Sequence, residues 1–219
     1  MKLDVEEALR YLGAGNGADE VLRAQVARTA DKLTAVLQPR CVYRVFSLSH
    51  SAHTVCLPEC GLTLAGHTAN TLLAHCTQAA LLACTLGAEF DAMLRAAQAR
   101  DMAQAVILDA CGSAWVESGC NAAEQELAAR FPGKFLTDRF SPGYGDLPLT
   151  LQPDICRTLD TEKHVGIYVS DSCLMNPSKS VTAVIGLADE PQMARIRGCV
   201  YCAMRKTCAL RKGGQHCGL

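Results

Sequence analysis

Aromatic side chains make up only 5% of the 219 residues, and a single Trp is among them. Neither charge is in excess: 21 Lys and Arg stand against 22 Asp and Glu, a formal net charge of -1. A chain that coats a nucleic-acid backbone shows a strong basic excess, so nucleic acid is not an expected partner. Long apolar runs are missing too, and the longest, residues 79–87, is about half of a membrane span. The opening MKLDVEEALRYLG puts acidic side chains where a secretory signal needs a basic start and an apolar run. Neither membrane insertion nor export is expected, and the cytoplasm is the expected location. What is present, 49% apolar and 20% charged residues, rules out a disordered or fibrous chain and is enough for a full core.

Cysteine is the abundant exception. Thirteen residues, about 6%, exceed ordinary usage but fall short of a small disulfide scaffold. The count is odd and no export signal is visible, so reduced thiols are expected, with clustered cysteines on a metal. Cys41, Cys76, Cys84, Cys111, Cys120, Cys156 and Cys173 fall in apolar segments and read as small core residues.

Helical spacing of apolar residues predicts helices over 5–12 and 18–37, the first ended by Gly13, Gly15 and Gly17 and the second by Pro39. Residues 41–48 (CVYRVFSL) read as a strand, and 49–66 as two short strands. Thr68 is the expected cap of a small helix ending near Cys76. Residues 78–86 read as a buried strand. The proline-free stretch 89–131 fits two helices, or one long helix broken near Gly112 or Gly119. Its small-residue run, 110–114, reads as tight helix packing ahead of a ligand approach. A loop at 139–149 (RFSPGYGDLPL), a short helix near 152–159 and strands at 164–170 and 180–187 complete the pass. No regular βαβ rhythm is present. The expected fold is therefore α+β, with a twisted, largely antiparallel sheet and a Cys-rich C-terminal tail.

Two segments carry the chemistry. In the first, Pro142-Gly143 is a strong turn signal, Arg139 offers a planar fork for a carboxylate, and Phe140 and Tyr144 offer aromatic faces. A structural turn has the same composition, so this is weak taken alone. The second, 160–181 (DTEKHVGIYVSDSCLMNPSKSV), clusters polar residues between two strands. A surface turn is the plain alternative, and His164 alone reads as a structural histidine.

Read together, the ordered motifs R-x-x-x-G-Y (Arg139, Gly143, Tyr144), E-K-H-x-G (Glu162, Lys163, His164, Gly166) and M-x-P-x-x-S-V (Met175, Pro177, Ser180, Val181) resemble the reactivation domain of cobalamin-dependent methionine synthase. The likeness is densest over 139–188, with Gln38, Pro39 and Arg40 before a strand as a small further echo. It implies a domain over 1–198 that binds S-adenosylmethionine and presents it to an oxidised cobalamin, where one electron and one methyl group restore methylcobalamin. It also implies that Arg139 holds the methionine carboxylate, that the backbone at Ser141, Gly143 and Tyr144 shapes the pocket, and that Glu117 is the acidic partner, with Asp109 as the alternative.

The D-x-H-x-x-G pattern that sets a histidine under cobalt does not occur, and the family's late aromatic has no counterpart before Tyr201. The expected partners are thus a separate cobalamin-binding methionine synthase or another corrinoid protein, and an electron donor. The tail, 199–219, holds Cys199, Cys202, Cys208 and Cys217, four cysteines where chance would put about one. A C-x2-C pair brings two thiolates to one metal, and two more complete a four-thiolate site. Six basic residues (Arg195, Arg197, Arg205, Lys206, Arg211, Lys212) offset the charge of such a cluster. An iron–sulfur cluster that brings or relays the electron is the leading expectation, then structural zinc, then unligated thiols. The expected function is reductive reactivation of a corrinoid protein. The alternative is a non-catalytic module that binds a corrinoid protein and carries structural zinc in its tail.

Overall fold

The computed structural model of the chain describes residues 1–14, 17–52, 54–192 and 207. Helices and mostly antiparallel strands are mixed without a repeating crossover, which is the α+β class expected. The main sheet has four strands in the order β1 (Arg40–Ser47), β5 (Cys76–Thr85), β9 (Ser180–Ala188) and β6 (Phe135–Leu136). Burial explains the order. Residues 79–85 of β5 and 182–188 of β9 are buried without alternation, which only inner strands sustain, while the edges are half-exposed β1 and two-residue β6. β6 runs antiparallel to β9, with Phe135 opposite Ala188 and Leu136 opposite Leu187. No helix among the described residues is long and apolar enough to cross a membrane.

The chain divides into two compact units. The first takes Met1–Tyr43, Leu82–Leu127 and Leu159–Val181. Its helix α1 (Val5–Tyr11) starts on Asp4, whose carboxylate accepts from the amides of Glu6 and Glu7, and α2 (Glu20–Val36) starts on Asp19 in the same way. Both lie where the apolar spacing predicted them. The stretch 89–131 becomes two helices, α4 (Ala88–Gln98) and α5 (Met102–Arg130). The break falls at 99–101, not at Gly112 or Gly119. Asp101 explains it, because its carboxylate accepts from the amides of Ala103 and Gln104 and so starts α5. Gly112 sits mid-helix because the Phe90 ring lies where its side chain would be. The small-residue run is therefore packing, as preferred. Trp115 is fully buried and donates its indole N–H to the Leu37 carbonyl, 2.8 Å.

Two expectations fail in this unit. Residues 164–170 are not one strand: His164 and Val165 belong to helix α7 (Thr161–Val165), Gly166 closes it at φ +75°, and only Tyr168–Val169 (β7) pairs, with β8 (Met175–Asn176). Cys41 and Cys84 are not separate core thiols but form a disulfide with Cα atoms 4.1 Å apart. Cys111 stays a free buried thiol, pushed up to about 12 by burial.

The second unit takes Arg44–Leu81, Ala128–Thr158 and the described chain from Thr182. Residues 49–66 form a meander of three strands, not two: β2 (Ser49–His50), β3 (Thr54–Leu57) and β4 (Leu62–Ala65). Helix α3 (His67–Leu73) follows, capped by Gly66 with no side-chain bond from that position. Thr68 is its second residue and not its cap. Helix α6 (Gln152–Leu159) lies where a short helix was expected.

Gly112→Ala tests the α4–α5 packing. Ala favours a helix over Gly by about 1 kcal/mol, but overpacking against Phe90 costs about 1–3 kcal/mol. The expected result is a lower denaturant midpoint; a raised one would mean that the ring is not wedged on the glycine.

Candidate functional site

The loop 139–149 of the second unit is built from two consecutive turns. Tyr144 donates its amide to Ser141 O at 3.0 Å, with Pro142 and Gly143 between them and Gly143 at φ +86°. Pro presets the first central residue and Gly supplies the positive φ that the next one needs. Leu147 then donates to Tyr144 O at 3.0 Å across Gly145, φ +59°, and Gly143 donates to Leu147 O at 2.8 Å, closing the loop.

Both ends of the loop are tied down. At the entry, Phe140 and Val184 exchange backbone hydrogen bonds of 3.1 and 2.7 Å, and the Ser141 hydroxyl donates to Thr182 O at 2.6 Å. Buried Gln152, which opens α6 after the loop, donates to the Thr182 hydroxyl, 2.6 Å, so the same strand residue holds Ser141 and the start of that helix. At the exit, the Asp146 carboxylate accepts from the amides of His67 (2.5 Å) and Thr68 (2.9 Å), the first residues of α3. The hydroxyl and amide of Thr68 and the amide of His67 hold the Asp146 carboxyl down to about 2.

Four of the expected ligand residues therefore share one loop. Arg139, Ser141 and Tyr144 are half-buried and Gly143 is exposed. Glu117 lies in the first unit on α5, half-buried, and its charge, after burial itself, helps push the Tyr11 hydroxyl up to about 12. Its alternative, Asp109, is already paired with Lys179 Nζ at 2.9 Å, and that ammonium also donates to Ser113 Oγ at 2.9 Å.

Cys199, Cys202, Cys208 and Cys217 lie outside the described residues. Among the described residues, no group of three or more His, Cys, Asp and Glu is arranged to hold a metal ion.

The other two motifs lie in the first unit. Glu162, Lys163 and His164 are exposed on α7, while Gly166 closes that helix. A cis bond joins Asn176 to Pro177, the Ser180 hydroxyl contacts Thr85 Oγ1 and Pro177 O at 2.8 and 2.7 Å, and Ser178 bonds the Asp91 carboxylate. Sequence reasoning missed Asp146, Thr182 and Gln152. The only available signals were a carboxylate after a GYG turn and a helix beginning on Gly66. Elsewhere in the second unit a cavity of about 620 Å³ is lined by Arg44, Glu59, Asp154 and Arg157 among others, and none of the expected site residues lines it.

No described protein family matches the sequence, and no curated protein is similar to it in sequence. Among solved structures, it is similar to the MetH reactivation domain bound to AdoHcy, with a TM-score of 0.62 at 19% identity, over 91% of this chain and 76% of that one. The chain has the fold of that reactivation domain.

The Asp146 hydrogen bonds predict a loop that loses stabilisation in strong acid. The folded carboxyl titrates at about 2, below the ordinary 3.8, so the stabilisation is full above about 4 and is lost as the pH falls through about 2. Carboxyl-carbon NMR should give a midpoint near 2 for Asp146; a midpoint near 3.8 would mean that the Thr68 hydroxyl and the two amides do not hold it.

Proposed function

We propose that the chain binds S-adenosylmethionine at the 139–144 loop and supports reductive methylation of a cobalamin carried by a partner protein. The observation that carries this reading is the fold likeness, spanning 91% of the chain, to a reactivation domain whose structure holds S-adenosylhomocysteine, the demethylated product. The R-x-x-x-G-Y motif supports it, since Arg139, Gly143 and Tyr144 lie on one loop that is tied at both ends.

The donor set suits the ligand. A guanidinium takes a carboxylate through two parallel hydrogen bonds, and a phenol ring takes a purine face or a sulfonium. In the reaction proposed, one electron from a donor protein reduces the partner's cob(II)alamin. The bond between sulfur and the methyl carbon breaks with its electron pair remaining on sulfur, a cobalt–carbon bond forms, and S-adenosylhomocysteine leaves. The chain's own part is to bind and orient the methyl donor and to dock on the corrinoid partner.

The tail is the proposed route for the electron. Four cysteines at C-x2-C-x5-C-x8-C spacing, amid basic side chains, suit an iron–sulfur cluster. Anaerobically purified protein should then be brown and contain iron, and Cys202→Ser should remove the colour and the reactivation while ligand binding survives. Zinc in place of iron would remove the electron role and favour the non-catalytic module.

Arg139→Ala tests the pocket. Loss of a charge-assisted bidentate contact costs about 2 kcal/mol or more, on the order of 30-fold in dissociation constant. Calorimetry with S-adenosylhomocysteine should show that loss, and equal affinities would take Arg139 out of the site.

A further inference from the structure

We propose that Asp146 is a positioning residue, its carboxylate seated on the first amides of α3 so that the 139–147 loop is held in the shape that receives the ligand. The ligand half of this inference rests on the function proposed above; the latch itself does not.

The latch is reciprocal. A helix start leaves its first amides without partners inside the helix, and a side-chain oxygen at the cap position normally takes one of them. Gly66 has none to offer, and α3 has no side-chain bond from its cap position. Asp146 fills that role from 79 residues along the chain, with Oδ2 on His67 N and Oδ1 on Thr68 N. In return the Asp146 amide points at Thr68 Oγ1, 3.5 Å away. This exchange mirrors a capping box, with one partner supplied by a remote loop.

Two glycines make room for it. A Cβ on Gly66 would stand 2.9 Å from the Asp146 carboxyl carbon, and one on Gly145 would collide with the Thr68 hydroxyl. Loop and helix therefore meet with backbone against side chain, too close for any side chain at either position. With Phe140 and Ser141 fixed on β9, Asp146 is the second tie, and Gly143 and Tyr144 lie between the two. A loop held at one end only would have to be ordered by the ligand, at a cost in affinity that a prior latch removes.

A competing role for the carboxylate is direct contact with the ligand's ammonium. Amide hydrogen exchange without ligand, paired with S-adenosylhomocysteine calorimetry, separates the two on wild type, Asp146→Ala and Asp146→Asn. The expected result for Asp146→Ala is exchange at Gly143, Tyr144 and Leu147 faster by about tenfold or more, with the β5 amides of Leu81 and Leu82 unchanged. Affinity should fall by about tenfold, and Asn, which keeps one acceptor oxygen, should lie between.

Unchanged loop exchange in Asp146→Ala would overturn the latch. Faster loop exchange with unaltered affinity would overturn the positioning role. Lost affinity with a protected loop would make Asp146 a ligand contact instead. If wild type does not bind S-adenosylhomocysteine, the proposed function fails and takes the positioning role with it, while the ligand-free exchange rates still report separately on the latch.

Discussion

Helix α3 begins on a glycine that leaves its first amides without a local acceptor, and Asp146 supplies the acceptor from a remote loop. The geometry of the candidate site depends on that exchange. An uncapped helix start and a glycine-rich loop are each poorly fixed alone, since one leaves donors unpaired and the other loses much entropy on ordering. Joined, each removes the other's deficit. Hydrogen bonds to a charged acceptor are stronger than neutral ones, and the Thr68 hydroxyl with the amides of Thr68 and His67 pulls the carboxyl down to about 2.

The inner strands set the other constraint. β9 is buried from Thr182 to Ala188, and its residues do more than fill the core. Thr182 accepts from Ser141 through its carbonyl and from Gln152 through its hydroxyl, and Val184 exchanges two bonds with Phe140. A strand buried along this length thus holds the entry of the loop, while the short helix α3 holds its exit.

Apolar spacing and turn chemistry were legible in the sequence: the spacing placed α1 and α2, Pro142-Gly143 makes a turn, and the apolar run of β5 becomes an inner strand. The Asp101 cap that separates α4 from α5 is a local signal that was missed. Tertiary contacts hid the rest. Gly112 reads as a breaker until the Phe90 ring is known to occupy its missing side chain. The pairing of Cys41 with Cys84 joins residues 43 positions apart and has no local signature. Thr68 was singled out at the right helix for the wrong reason, because the acceptor that caps α3 lies in another segment. Of the three ordered motifs, one forms the candidate loop, and the other two close a helix and brace strand ends, roles that spacing alone does not separate from binding.

The central claim is that the 139–147 loop receives S-adenosylmethionine. Backbone amide NMR of the whole chain, titrated with S-adenosylhomocysteine, tests it most directly. The account predicts saturable shifts centred on residues 139–147. Shifts centred instead on the cavity lined by Arg44 and Arg157, or no saturable shifts at all, would contradict it.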